Sequence, residues 1–104
     1  MNEAPDSFLE PASEAEAELV EKRSRFIGIV RVAPTPVEAR EAVRAAASAR
    51  SEANHHCWAY RVGVPPSEYF SDAGEPSGTA GKPILGAIQR GGTTNTVVVV
   101  TRYF

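Results

Sequence analysis

Large apolar side chains are sparse at the start of the chain and then fall into short, separated groups. The first group, Phe26, Ile27, Ile29, Val30 and Val32, lies within KRSRFIGIVRV (22–32). Its β-branched and aromatic residues predict a strand, with Gly28 marking a bulge or a close backbone approach. After Ala33-Pro34, the run Thr35-Pro36-Val37-Glu38 supplies an N-cap, a first-turn proline and a capping-box glutamate, so a helix is predicted over 37–50. Its narrow stripe of Ala39, Val43, Ala46 and Ala47 suits close packing on a sheet. HHCWAYRV (55–62) predicts a second strand. Alternation puts His56, Trp58, Tyr60 and Val62 on one face, and His55, Cys57, Ala59 and Arg61 on the other. Pro65 and Pro66 bar its continuation as a central strand.

Ser71–Gly81, SDAGEPSGTAG, reads as a loop because of Gly74, Gly78, Gly81 and Pro76. A second helix is predicted over 80–90: Pro83 fits only its first turn, Ile84, Leu85 and Ile88 form its buried face, and Gly91-Gly92 end it. TVVVVTRYF (96–104) is continuous and β-branched, the pattern of a strand buried on both faces. The order β-α-β-loop-α-β predicts an α+β domain with two helices packed on one face of a sheet.

The chain has 104 residues, the size of one small domain. Its 42% apolar and 23% charged residues exclude a disordered chain, a collagen and a coiled coil. No apolar run approaches the ~20 residues of a membrane helix, and the acidic N-terminus carries no secretory signal pattern. The single cysteine, Cys57, excludes an internal disulfide and fits a reducing compartment, so a cytoplasmic location is expected.

The net charge of −2 hides an asymmetry. Glu3, Asp6, Glu10, Glu14, Glu16, Glu18 and Glu21 precede the first base, whereas residues 22–104 carry all 11 bases, mostly arginine. Residues 1–16 are expected to form an acidic flexible leader, with the folded domain spanning 17–104. The basic part points to a polyanion partner; the alternative is a solvated surface with an acidic tail.

Candidate chemistry is concentrated in two places. His55, His56 and Cys57 are metal-ligand types, but alternation lets only His55 and Cys57 share a face and no further ligand pair stands at zinc spacing. Cys57 as a nucleophile requires His55 as its base; the structural alternative is a small buried thiol beside Ala59. Asp72 and Glu75 can hold Mg²⁺ or act as acid and base, or else shape the turn and cap the following helix. Ser77–Lys82 resembles a phosphate-cradling loop at a helix N-terminus without matching a P-loop. Arg23, Arg25, Arg61, Lys82 and Arg102, with Trp58 and Tyr60, are candidates for a basic surface with stacking platforms.

Four blocks carry a resemblance: residues 22–28, residues 55–61, residues 70–83 and Val97–Phe104. Together they resemble the Impact/YigZ family over residues 17–104, in order and spacing. The resemblance implies a ribosomal-protein-S5-domain-2-like fold. Bacterial members resemble two-domain proteins whose second domain is like the ferredoxin-like domain of a translational GTPase. Eukaryotic members instead carry an N-terminal partner-binding domain and restrain the starvation-activated kinase that silences translation initiation. His56 stands where the family often has Asn, and Ala73 where it often has a second Asp, which weakens a metal reading of the loop. The family continues past Phe104 with a glycine pair and another helix, so an incomplete domain is expected here.

The leading expectation is a non-enzymatic binding domain in translation or its stress control, without cofactor or metal, whose partner is RNA, the ribosome or a translation-control protein. The phosphate contacts are expected from Arg23, Arg25, Arg61, Lys82 and Arg102. The recognition loop is expected to comprise Ser71, Asp72, Gly74, Glu75, Pro76, Ser77, Gly78, Thr79 and Gly81, with His55, Cys57 and Trp58 nearby. The alternative is an enzyme built on Asp72 and Glu75, with Mg²⁺ and His55.

Overall fold

The structure, a computed structural model, describes residues 9–11 and 13–104. Its elements are β1 (Ala15–Glu21), β2 (Ser24–Val32), α1 (Pro36–Ala49), β3 (His55–Val62), β4 (Ser67–Ser71), α2 (Gly81–Gly91) and β5 (Thr96–Tyr103). The strands form one sheet in the order β1-β2-β5-β3-β4, each pair antiparallel. β5 is the middle strand, as its unbroken valine run predicts; Val97 and Val99 are almost wholly inaccessible.

Two strands go beyond the sequence-based expectation. β1 is exposed at every position and alternates glutamates with small or apolar residues, so no buried face announces it. Charges are tolerated there because it is an edge strand. It turns into β2 through Lys22, which takes a left-handed φ of 56°. β4 is short and lies at the other edge, where the chain returns after the Pro65-Pro66 turn to pair with β3. Within the expected leader, residues 1–8 and Ala12 lie outside the described residues. Leu9 bridges to Thr93, and the Leu9 carbonyl accepts the Thr94 amide at 2.7 Å.

The α+β class and the two helices on a sheet are as expected, but the helices take opposite faces. Register aligns Ile27 and Ile29 of β2, Val97 and Val99 of β5, and Tyr60 and Val62 of β3 on one face. Ala39, Ala42, Val43 and Ala46 of α1 pack there and close the main core. Alanines let the helix approach closely, which is why so narrow a stripe suffices. Thr35 caps α1 as predicted: its Oγ1 accepts the Glu38 amide at 3.2 Å. The opposite face carries Cys57, Ala59, Val98 and Val100, and α2 lies there with Ile84 and Ile88. Strand alternation makes this unavoidable, because Cys57 and Tyr60 have opposite parity on β3.

Asn95 joins the turns at one end of the sheet. It holds a left-handed φ of 55°, and its Oδ1 accepts the Gly63 amide at 2.9 Å. Its Nδ2 donates to Glu10, and its carbonyl accepts the Ala33 amide at 2.9 Å.

Candidate functional site at the glycine-rich loop

The segment between β4 and α2 is organised around one carboxylate. Asp72 Oδ2 accepts the Gly78 amide at 2.9 Å, and Oδ1 accepts the amides of Ala80 and Gly81 at 3.0 and 2.7 Å. Gly81 begins α2, which has no side-chain cap of its own at Ala80. Asp72 therefore supplies the anion that the helix N-terminus attracts. These amides hold the Asp72 carboxyl below its ordinary range, Gly78 contributing most, against a smaller opposing effect of burial. The amides expected to cradle an external phosphate are thus directed at the chain's own carboxylate.

The glycines follow from the same geometry. A Cβ on Gly81 would stand 2.6 Å from the Ser71 carbonyl oxygen, so only glycine lets α2 start against β4. Gly74, at φ 95°, lies under the His55 ring, where a Cβ would be 3.1 Å from Cε1. The turns between are closed by Ser71 Oγ accepting the Ala73 amide at 3.1 Å and by Thr79 Oγ1 donating to the Pro76 carbonyl.

Glu75 points back at the sheet. Arg102 Nη1 donates to both of its carboxylate oxygens, at 3.0 and 2.9 Å, and Arg102 Nε and Nη2 reach Ser24 Oγ at 3.3 and 3.2 Å. The guanidinium also lies 4.4 Å from the Phe104 ring centre and 5.4 Å from that of Phe26. One arginine so ties the β1–β2 turn to the loop. Beside it is a cavity of about 390 Å³ lined by Phe26, Cys57, Thr79, Ile84 and Val100.

The His-His-Cys run divides as alternation predicts. His55 Nδ1 is 3.0 Å from the Ala73 carbonyl, and its ring meets Phe104 edge-on at 5.5 Å. His56 Nδ1 is 3.1 Å from Thr101 Oγ1, on the α1 side. Cys57 is buried and donates to the Asp72 carbonyl at 3.1 Å. Burial pushes its thiol up to about 11, with Glu75 and Asp72 adding to the effect, so it is a neutral thiol near pH 7. Among the described residues no three His, Cys, Asp or Glu side chains are grouped to hold a metal ion.

The five basic candidates do not form one patch. Arg102 faces His55 across the ladder and Arg61 faces Thr96, which separates them by about 20 Å along β3. Arg61 pairs with Glu68 at 3.0 Å and donates to the Thr93 carbonyl at 2.8 Å. Arg25 pairs with Glu18 and lies 5.2 Å from the Tyr103 ring centre. Arg23, in the β1–β2 turn, and Lys82, just after the loop, are exposed. Of the aromatics, Tyr60 is core, its hydroxyl accepting from Arg40 at 3.2 Å, and Trp58 stacks on it at 5.8 Å. Sequence reasoning missed Ser24, Phe26 and Phe104 as partners of Arg102; their place in the KRSRF and TRYF blocks was the available signal.

This fold and loop define an Impact-type N-terminal domain. The family model described as Impact N-terminal domain matches residues 22–104. The chain belongs to the Impact family. It is 35% identical over 102 residues to the IMPACT family member YigZ of Escherichia coli (strain K12), covering 95% of this chain and 50% of that protein. To the IMPACT family member YvyE of Bacillus subtilis (strain 168) it is 36% identical over 99 residues, covering 94% and 46%. A crystal structure described as that of a hypothetical protein superposes with a TM-score of 0.89 at 35% identity, over 93% of this chain and 48% of that one. The chain thus spans about half the length of the curated relatives it matches. No helix among the described residues is long and apolar enough to cross a membrane.

Proposed function

We propose that this domain is a non-catalytic binding module acting in the cytoplasm, in translation or its stress control, and that it contacts RNA phosphates. The observation that carries the reading is the internal commitment of the loop's reactive groups. Asp72 is engaged by three amides, Glu75 by Arg102, and the Cys57 thiol is buried and neutral. Such a loop is a rigid shape that displays its neighbours, and it leaves no free carboxylate pair for a metal or a proton transfer. Two neighbouring cations are exposed: Arg23 in the β1–β2 turn and Lys82 directly after the loop. In this reading Arg23 and Lys82 make the principal phosphate contacts, while Arg25 is paired with Glu18 and Arg102 and Arg61 chiefly hold the scaffold.

The test is a titration with a short single-stranded RNA across a salt series. Each phosphate contact contributes a slope of about −0.7 in log K against log salt, so two contacts give about −1.4. Arg23→Ala with Lys82→Ala should flatten the slope by about 1.4 and weaken all sequences alike. Binding that ignores salt, or survives both substitutions unchanged, overturns the reading.

A further inference from the structure

The acids that precede the first base are placed against the arginines that follow it. Glu14, just before β1, and Glu16 and Glu18 along it alternate onto the α1 side, since Glu16 faces Ile29 and Glu18 faces Ile27 in the β1–β2 register and Glu14 lines the trough beside α1. Each meets an arginine on that side. Glu16 pairs with Arg50 at the end of α1 at 3.3 Å, Glu14 with Arg31 at 3.8 Å, and Glu18 with Arg25. The Glu14–Arg31 and Glu16–Arg50 pairs border a trough of about 560 Å³ between α1 and the sheet, floored by Ile27 and Ile29 and walled by Ala42, Ala46 and Ala49. All three carboxylates are about half exposed. Exposed pairs of this kind add little to stability, so they do not explain why three stand in register.

A carboxylate at every second residue of an extended strand repeats at about 6.7 Å. That is a row of evenly spaced negative charge on an extended backbone, the pattern that phosphates make along a single nucleic-acid strand. We propose that β1 is a built-in stand-in for such a strand, and that Arg25, Arg31 and Arg50 form a second RNA-binding row that β1 covers. The inference rests on the RNA reading above and extends it to three arginines outside the loop corner. RNA reaches the row by replacing the glutamates, which lie on an edge strand bonded on one side only.

The test compares oligouridine binding by the wild-type chain, by Glu16→Gln with Glu18→Gln, and by a control, Glu21→Gln with Glu41→Gln. The control removes equal charge from glutamates that make no ion pair among the described residues. Freeing Arg25 and Arg50 should steepen the salt slope by about 1.4 over the control, so that the gain in affinity is about sevenfold larger at 50 mM than at 200 mM salt. Adding Arg50→Gln should remove about half of that extra slope. Dispersed amide spectra of each variant establish that it is folded, and glutamine preserves side-chain length and strand register. A gain no greater than the control's overturns the proposal. If the wild type still binds through Arg23 and Lys82 in that case, the RNA reading stands and only the covering role of β1 falls. If no form binds, both fall. Binding by the Glu16→Gln, Glu18→Gln variant alone supports the covering role, with β1 as the block.

Discussion

The Asp72 carboxylate and the Gly81 amide, nine residues apart in the chain, meet at 2.7 Å, and that contact fixes where α2 begins. The loop between them is folded around a side chain rather than around a ligand. Its glycines follow from that choice, because a carboxylate can collect three amides only if the backbone passes through left-handed turns and close approaches.

Gly81→Ala places a Cβ within 2.6–2.9 Å of three Ser71 backbone atoms. Backbone cannot give way as a side-chain tip can, so the substitution should destabilise the domain by about 1–3 kcal/mol. Chemical denaturation measures this. A loss below about 0.5 kcal/mol would show that α2 starts elsewhere.

The Asp72 carboxyl sits below its ordinary range because three amides favour the charged form. Its folded value is therefore lower than its unfolded value. The stabilisation is full above the unfolded range, near pH 4, and is lost as the pH falls through the folded value. In an NMR acid titration the amide shifts of Gly78 and Gly81 should move with a midpoint below about 3.9. Asp72→Asn should abolish that transition.

The Arg102–Glu75 pair is partly shielded and two-pronged. Removing either partner with alanine should cost about 2 kcal/mol. The double variant should cost less than the sum, with a coupling of about 1 kcal/mol. Additive losses would mean that the two side chains do not act on each other.

Cys57 is buried with its thiol raised to about 11. At pH 8 the folded chain should react with iodoacetamide on the order of 200-fold more slowly than the unfolded chain, from thiolate fraction alone. Equal rates would place the thiol at the surface.

The sequence made the central elements legible because each carries its own signal. Thr35 to Glu38 announces α1, the valines of 96–104 announce β5, and the alternation of 55–62 separates His55 from His56. β1 and β4 were not legible, because edge strands have no buried face to enforce a period. The loop could be recognised as a loop, and a turn-and-cap role for Asp72 and Glu75 was one of its two readings, but which carboxylate meets α2 was not legible. Their partners are amides six to nine residues later and an arginine 27 residues away, and spacing reveals neither. The opposite placement of α2 was likewise hidden. It depends on which parity of β3 and β5 faces each helix, and a valine run that is apolar on both sides does not say.

The strand at the middle of the sheet follows the other four in the chain. β1–β2 and β3–β4 are local hairpins, and β5 alone joins them, pairing Tyr103 with Arg25 and Arg102 with His55. On a ribosome the two hairpins must emerge and wait as separate, apolar-faced halves until residues 96–103 clear the exit. Closure of this sheet is therefore gated by the synthesis of β5, with the long-range pairing that makes such topologies slow. Any pause in translation before Thr96 prolongs the time during which those halves stay unjoined.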